Sequence, residues 1–162
     1  MPARWFYGSA GNRMIMHVVN WHNGYQRPLA EGERIMGAFI TPPFQRNLVW
    51  TKQQKQRLIE SIYMGMPVGA LVVNMTSPHD PCDCWLLDGQ QRTNAMCEYL
   101  AGNYAVRGWR YPDLPKYEQY HFDRVPIPVI ETNVTDPAQC REVYDRLVYG
   151  GTAHPVLTEG VS

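Results

Sequence analysis

Residues 84–102 read Cys84-Trp85-Leu86-Leu87-Asp88-Gly89-Gln90-Gln91-Arg92-Thr93-Asn94-Ala95-Met96-Cys97-Glu98-Tyr99-Leu100-Ala101-Gly102. The apolar run Cys84 to Leu87 has the length of a buried strand, and Asp88-Gly89 ends it. A helix then begins at Gln90 or Gln91 and runs to Leu100, with Ala95, Met96, Tyr99 and Leu100 on its core face and Gly102 closing it. Asp-Gly-Gln-Gln-Arg therefore occupies a strand-to-helix junction. Upstream, Thr51 and Gln54 have the spacing of a capping box, which starts a helix at Lys52 that runs to about Met64. Leu58, Ile59, Ile62 and Tyr63 form its apolar stripe, Gly65 stops it and Pro67 prevents its resumption. Val68 to Val73 then reads as a second buried strand, and the polar stretch of residues 74–83 is short enough to set the two strands antiparallel to or beside each other. Helices alternating with short strands in this way specify a small mixed sheet with packed helices, an α/β (α+β) fold.

Working outward, Met14 to Val19 reads as a strand and Ile35 to Ile40 as a weaker one ending at Pro42-Pro43. Residues 108–120 read as an aromatic, proline-rich loop. Val125 to Ile130 reads as an edge strand, because its prolines cannot serve a central ladder, and Asp136 to Leu147 as a last amphipathic helix. Residues 1–152 are expected to form one domain and residues 153–162 a flexible tail, since 162 residues bury one sizeable core and not two. Fifteen Lys and Arg balance fifteen Asp and Glu, so nucleic-acid binding would have to come from a local patch. The longest apolar run is far shorter than the roughly 20 residues of a membrane helix, and the first residues have no apolar signal core. Those features predict a cytoplasmic protein without a membrane partner. Four cysteines, Cys82, Cys84, Cys97 and Cys140, are too irregularly spaced for a disulfide framework or two zinc-binding pairs, and read as reduced, buried thiols.

Two constellations can carry chemistry: Pro43-Phe44-Gln45-Arg46 with Val49-Trp50, and Asp88 to Arg92. A helix start with unsatisfied N–H groups attracts phosphate, and a glycine ahead of it lets a ligand approach the backbone. Arg46 and Arg92 have guanidinium groups suited to phosphoryl oxygens. Asp88 can position a metal ion, orient water or hold an arginine. The alternative is structural: Asp88 caps the helix, Arg92 pairs with it and the glutamines hydrogen-bond the turn. A second patch, Trp109, Tyr111, Tyr117, Tyr120 and Phe122 interleaved with Arg107, Arg110, Lys116 and Arg124, can stack on bases while contacting phosphates, or cover the sheet or a partner. His22 and His121 lie in loops where they could wall a site, and there is no glycine-rich loop ending in Lys-Ser/Thr, which excludes a P-loop mechanism.

Phe44 to Trp50 (FQRNLVW), the helix QQKQRLIESI, the Gly65-x-Pro67 turn and LLDGQQRTNA together resemble the family of DGQQR-containing domains related to ParB-like nucleases and sulfiredoxin. Such domains form the amino-terminal part of GmrSD-type modification-dependent restriction enzymes. The order and spacing agree over residues 36–102, and Val143 to Thr152 is similar to a later family segment, except that the asparagine usual before its double glycine is missing at Leu147-Val148-Tyr149. The resemblance implies a ParB/sulfiredoxin-like fold that binds a nucleoside triphosphate with Mg2+, usually hydrolysing it to control DNA cleavage in restriction or phage-host defence. Carried over, Gln45 and Arg46 match its glutamine-arginine pair and Asp88 to Arg92 its signature. Asp88, Gln91, Arg92 and Gln45 become catalytic candidates, Arg46, Gly89, Gln90 and Arg92 nucleotide-binding candidates, and Asp88 the metal ligand. Arg107, Arg110, Lys116 and Arg124 are the nucleic-acid-binding candidates. The expected partners are a nucleotide, DNA, and a protein or a second copy of the chain. The alternatives are a ParB-like DNA nuclease and a non-catalytic DNA- or protein-binding module.

Overall fold

The computed structural model describes residues 1–20 and 27–149. His22, Gly150 to Thr152 and the tail expected over residues 153–162 lie outside the described residues. The elements in chain order are β1 (Ser9–Met14), α1 (Ile15–Val19), β2 (Arg34–Met36), β3 (Phe39–Thr41), α2 (Lys52–Tyr63), β4 (Leu71–Asn74), β5 (Trp85–Asp88), α3 (Gln90–Leu100), a 3-10 turn (Tyr111–Asp113), α4 (Lys116–Asp123), β6 (Pro126–Thr132) and α5 (Pro137–Tyr149). The strands form one mixed sheet in the order β1-β6-β4-β5-β3-β2. β5 runs antiparallel to β4 and parallel to β3, while β6 runs parallel to β4 and antiparallel to β1. This is the α+β mixed fold that the apolar runs and helical stripes specify.

The centre of the sheet is covered on both faces. Adjacent residues of β4 (Leu71, Val72, Val73) and of β5 (Trp85, Leu86, Leu87) are all buried, although neighbours along a strand point to opposite sides. α2 and α3 pack on each other, and α5 packs against β5. Ile59, Met96, Tyr99 and Phe122 fill the helical side of the core. α2 starts where the sequence puts it: the Thr51 hydroxyl accepts from the Gln54 N–H at 3.3 Å, and the Gln54 carboxamide accepts from the Thr51 N–H at 2.8 Å.

Four expectations about the outer parts need correction. Met14 to Val19 is not a strand: β1 ends at Met14, and α1 follows with Ile15 and Val18 buried three residues apart, a helical spacing. Ile35 to Ile40 is two strands, not one. Gly37, at φ +61°, turns the chain between β2 and β3, where a Cβ would lie 2.5 Å from the Val18 carbonyl oxygen. Residues 108–120 are not all loop, because they contain the 3-10 turn and most of α4, tied together by the Gln119 carboxamide, which donates to the carbonyls of Tyr111, Pro112 and Leu114.

The fourth correction concerns β6, which is an interior strand, between β1 and β4. Its prolines are accommodated by register. Pro126 and Pro128 stand opposite Met14 and Asn12, and neither proline has an N–H to give. These must be the non-hydrogen-bonded pairs of the antiparallel ladder, so Ser9, Gly11 and Arg13 exchange bonds with Glu131, Val129 and Ile127. The Ile15 N–H continues the same alternation, donating to the Val125 carbonyl at 3.0 Å. Toward β4 the prolines do no harm either, since that ladder begins only at Val129, opposite Leu71.

A buried ion pair anchors the segment before β2. Glu33 accepts from both terminal nitrogens of Arg27 at 2.9 and 3.0 Å, from the Ala30 N–H at 2.7 Å and from the Trp85 indole N–H at 2.6 Å. Burial pushes the Glu33 carboxyl up, but those hydrogen bonds and the Arg27 charge outweigh it and hold the group below the ordinary carboxylate range. Trp85 in turn meets Phe44 edge-on at 5.5 Å, and Phe44 packs on Tyr144 at 5.3 Å. The clasp thus supports, through aromatic contacts, the residues next to the candidate site.

Candidate functional site

A cavity of about 160 Å³ lies where β5 passes into α3. Its walls include Gln45, Arg46, Asp88, Gly89, Gln90, Gln91 and Arg92, so both sequence constellations come together in it. Trp50, of the first constellation, also lines it, and Leu87, Tyr144 and Val148 complete it. Tyr144 and Val148 are four residues apart on α5 and therefore share a helix face; the sequence marks an amphipathic helix over Asp136 to Leu147, one residue short of Val148, and nothing local says which neighbour it meets.

The turn into α3 is built for close approach. Gly89 is the N-cap residue at φ +105°, and a Cβ there would sit 2.2 Å from the Leu71 Cδ2. With glycine in that place, the first turn of α3 has no side-chain cap, in contrast to the boxed start of α2. Its leading N–H groups and the positive end of the helix face the junction where the cavity lies. Asp88 is thus not the helix cap.

The polar side chains divide into two groups. Arg92 is engaged by the protein: its guanidinium donates to the carbonyls of Val68 and Ala70 at 3.0 and 3.1 Å and to Asp88 Oδ2 at 3.0 Å. Gln91 is also engaged. Its Oε1 accepts from the N–H groups of Val49 and Trp50, and its Nε2 donates to the Asn47 carbonyl. It therefore fastens the loop that carries Arg46 to the start of α3. Gln45 donates to the Leu86 carbonyl at 2.7 Å.

The second group has capacity to spare. The Arg46 side chain is exposed and has no ion pair among the described residues, while its backbone N–H is held by the Tyr144 hydroxyl at 3.3 Å. Gln90 is buried, and its Nε2 has no hydrogen-bond partner among the described residues. Asp88 Oδ1 accepts no bond there either. Among the described residues Asp88 is the one carboxylate on the cavity wall, and they contain no cluster of three or more His, Cys, Asp or Glu able to hold a metal by themselves. That donor set fits Mg2+ arriving with phosphate, which takes one or two carboxylates from a protein and the rest of its ligands from phosphate and water.

The remaining candidates lie elsewhere. None of Arg107, Arg110, Lys116 and Arg124 lines this cavity. Arg107 pairs with Glu60 at 3.2 Å, Lys116 donates to Gln119, and Arg124 stacks over the Tyr120 ring at 3.7 Å; Arg110 is exposed. Trp109, Tyr117 and Tyr120 are exposed, whereas Tyr111 and Phe122 join Tyr63 and Tyr99 in an aromatic cluster. His121 is an exposed residue of α4. The four cysteines are free thiols, and burial pushes Cys84 and Cys97 up to about 11, which keeps them protonated.

Residues 27–149, which include every wall of this cavity, match the family described as GmrSD restriction endonuclease, N-terminal domain. The chain belongs to that family. GmrSD membership ties it to restriction-enzyme-related DNA processing or phage defence, and it locates the candidate cavity inside the matched region. No curated protein and no solved structure matches the chain. No helix among the described residues is long and apolar enough to cross a membrane.

Proposed function

We propose that this GmrSD-family domain binds a nucleoside triphosphate with Mg2+ at the start of α3 and hydrolyses it, as a cytoplasmic component of DNA processing or phage defence. The observation that carries the reading is the uncapped first turn of α3, with the unpartnered Gln90 carboxamide beside it in a cavity. Backbone N–H groups without a side-chain cap among the described residues, a helix dipole and the exposed guanidinium of Arg46 are complementary to phosphate oxygens. Asp88, through Oδ1, would hold Mg2+ together with the phosphates, and the ion would neutralise phosphate charge there. Gln90 and the Oε1 of Gln45, which accepts no bond among the described residues, are the groups left to orient water. Arg92, Gln91 and Gly89 give the frame its shape.

The test is calorimetric titration of ATP, GTP, CTP and UTP with Mg2+ into the wild-type protein and Arg46→Ala, followed by phosphate release on whichever nucleotide binds. One lost charge-assisted hydrogen bond is worth about 1.5–3 kcal/mol, so Arg46→Ala should weaken binding about ten- to a hundredfold with an unchanged melt. Saturable binding without phosphate release would leave a binding module and remove the hydrolysis. No binding of any of the four by folded protein would remove the nucleotide reading altogether.

A further inference from the structure

Among the described residues the outer edge of β1 is open. Among the described residues no strand pairs with it, and β1 is six residues long, whereas β2 at the opposite edge has three. Soluble proteins normally blunt such an edge with charged side chains, proline, a bulge or a covering segment. β1, Ser9-Ala10-Gly11-Asn12-Arg13-Met14, has no proline or bulge within its length, and its one charge, Arg13, is paired inward with Glu131. Trp5 and Phe6, just before it, turn back onto the core.

The prolines of β6 decide which groups face outward. Because Ser9, Gly11 and Arg13 bond to β6, the N–H and C=O groups of Ala10, Asn12 and Met14 point away from it, to the free side. We infer that β1 is a docking edge for β1 of a second copy of this chain, paired antiparallel about Asn12 to continue the sheet across a two-fold axis.

Self-pairing fits this strand in particular. A two-fold axis through Asn12 sets it against the partner's Asn12, and Ala10 against the partner's Met14, so every outward-facing residue meets another outward-facing residue. The only charged side chain of β1 is Arg13. It is already neutralised by Glu131 at 2.6 Å and lies over the Phe39 ring at 5.5 Å. In the two-fold register it stands opposite the partner's Gly11, so the two like charges are not face to face and no side chain obstructs either of them. An interface made by an edge strand is small, so association should depend on concentration.

Sedimentation velocity across the micromolar to millimolar range tests this, with circular dichroism checking the fold. The wild type should shift from monomer to dimer mass as concentration rises. Asn12→Pro removes an outward N–H and leaves the β1–β6 bonds intact, so it should remain monomeric with the wild-type melt. If that variant does not fold, Asn12→Lys and Asn12→Asp give the answer: each alone sets like charges against each other and stays monomeric, and mixing the two restores the dimer. A wild type that remains monomeric throughout, an Asn12→Pro protein that dimerises like the wild type, or a Lys and Asp mixture that stays monomeric overturns the inference.

Discussion

Arg92 lies in the cavity wall where a phosphate-binding arginine would be sought, yet its hydrogen bonds make it a support of the fold. Replacing it with alanine removes the two donors that hold the Val68 and Ala70 carbonyls, just ahead of β4, and frees Asp88 Oδ2. A hydrogen bond from a charged donor is worth about 1.5–3 kcal/mol, and the two carbonyl bonds are not fully additive because they share one guanidinium. The Asp88 pair adds at most about 1 kcal/mol, since that carboxylate is 36% exposed and solvent screens it. The expected loss is about 3–4 kcal/mol, which for a chain of this size lowers the melting temperature by about 6–16 °C. Arg46→Ala, at an exposed side chain with no ion pair among the described residues, should change stability by less than about 0.5 kcal/mol. Urea unfolding of both variants and the wild type, followed by tryptophan fluorescence and circular dichroism, makes the comparison. An Arg92→Ala protein within about 1 kcal/mol of wild type, or an Arg46→Ala protein as damaged as Arg92→Ala, would refute the division between support and contact groups.

Gly89→Ala must place a Cβ 2.2 Å from Leu71 Cδ2 at a φ that side chains rarely adopt, so we expect a loss of about 2–4 kcal/mol in urea unfolding. A variant as stable as wild type would show that the turn can relax. Glu33→Gln should cost about 3–5 kcal/mol at neutral pH, because it breaks an ion pair whose carboxylate is buried and bound by four hydrogen bonds. Since the Glu33 carboxyl is held below its ordinary value, its stabilisation is complete above about pH 4.5 and is lost as pH falls through the lowered value. The urea midpoints of wild type and variant should therefore converge on acidification, and a gap that stays constant down to unfolding would remove the ionised pair from the account.

The sequence was most legible where the deciding contacts are local. The Thr51–Gln54 box closes within one turn, and the β5–α3 junction shows a strand, a glycine and a helical stripe in succession. It was least legible where a distant contact decides. Met14 to Val19 has the composition of a strand, and it becomes a helix because Ile15 and Val18 are both needed in the core while the Val18 carbonyl receives the Ala38 N–H. The prolines of β6 do suit an edge, and only the register against β1 explains how the strand lies inside the sheet. At the site, the residue types and their shared junction were readable, and the hydrogen bonds that separate Arg92 from Arg46 were not. Tyr144 and Val148 belong to a helix about 55 residues downstream, whose seat against β5 no local pattern encodes.

Those hydrogen bonds also explain why the two halves of the constellation work as one object. Gln91 binds the backbone on both sides of Leu48: it accepts from Val49 and Trp50 and donates to Asn47. The loop that presents Arg46 is therefore registered to the first turn of α3 without any helix or strand of its own. On its other side the same loop is held by the Tyr144 hydroxyl on the Arg46 N–H, and Tyr144 is reached from the Glu33 clasp through Trp85 and Phe44. For the proposed contact with a charged ligand such an arrangement is favourable: the Arg46 backbone is fixed, so little order remains to be gained on binding, while its guanidinium has no ion pair among the described residues. With Arg92 and Gln91 bound into the frame, the Arg46 guanidinium, Gln90 Nε2 and Asp88 Oδ1 are the cavity groups left without a partner among the described residues, as the proposed nucleotide site requires.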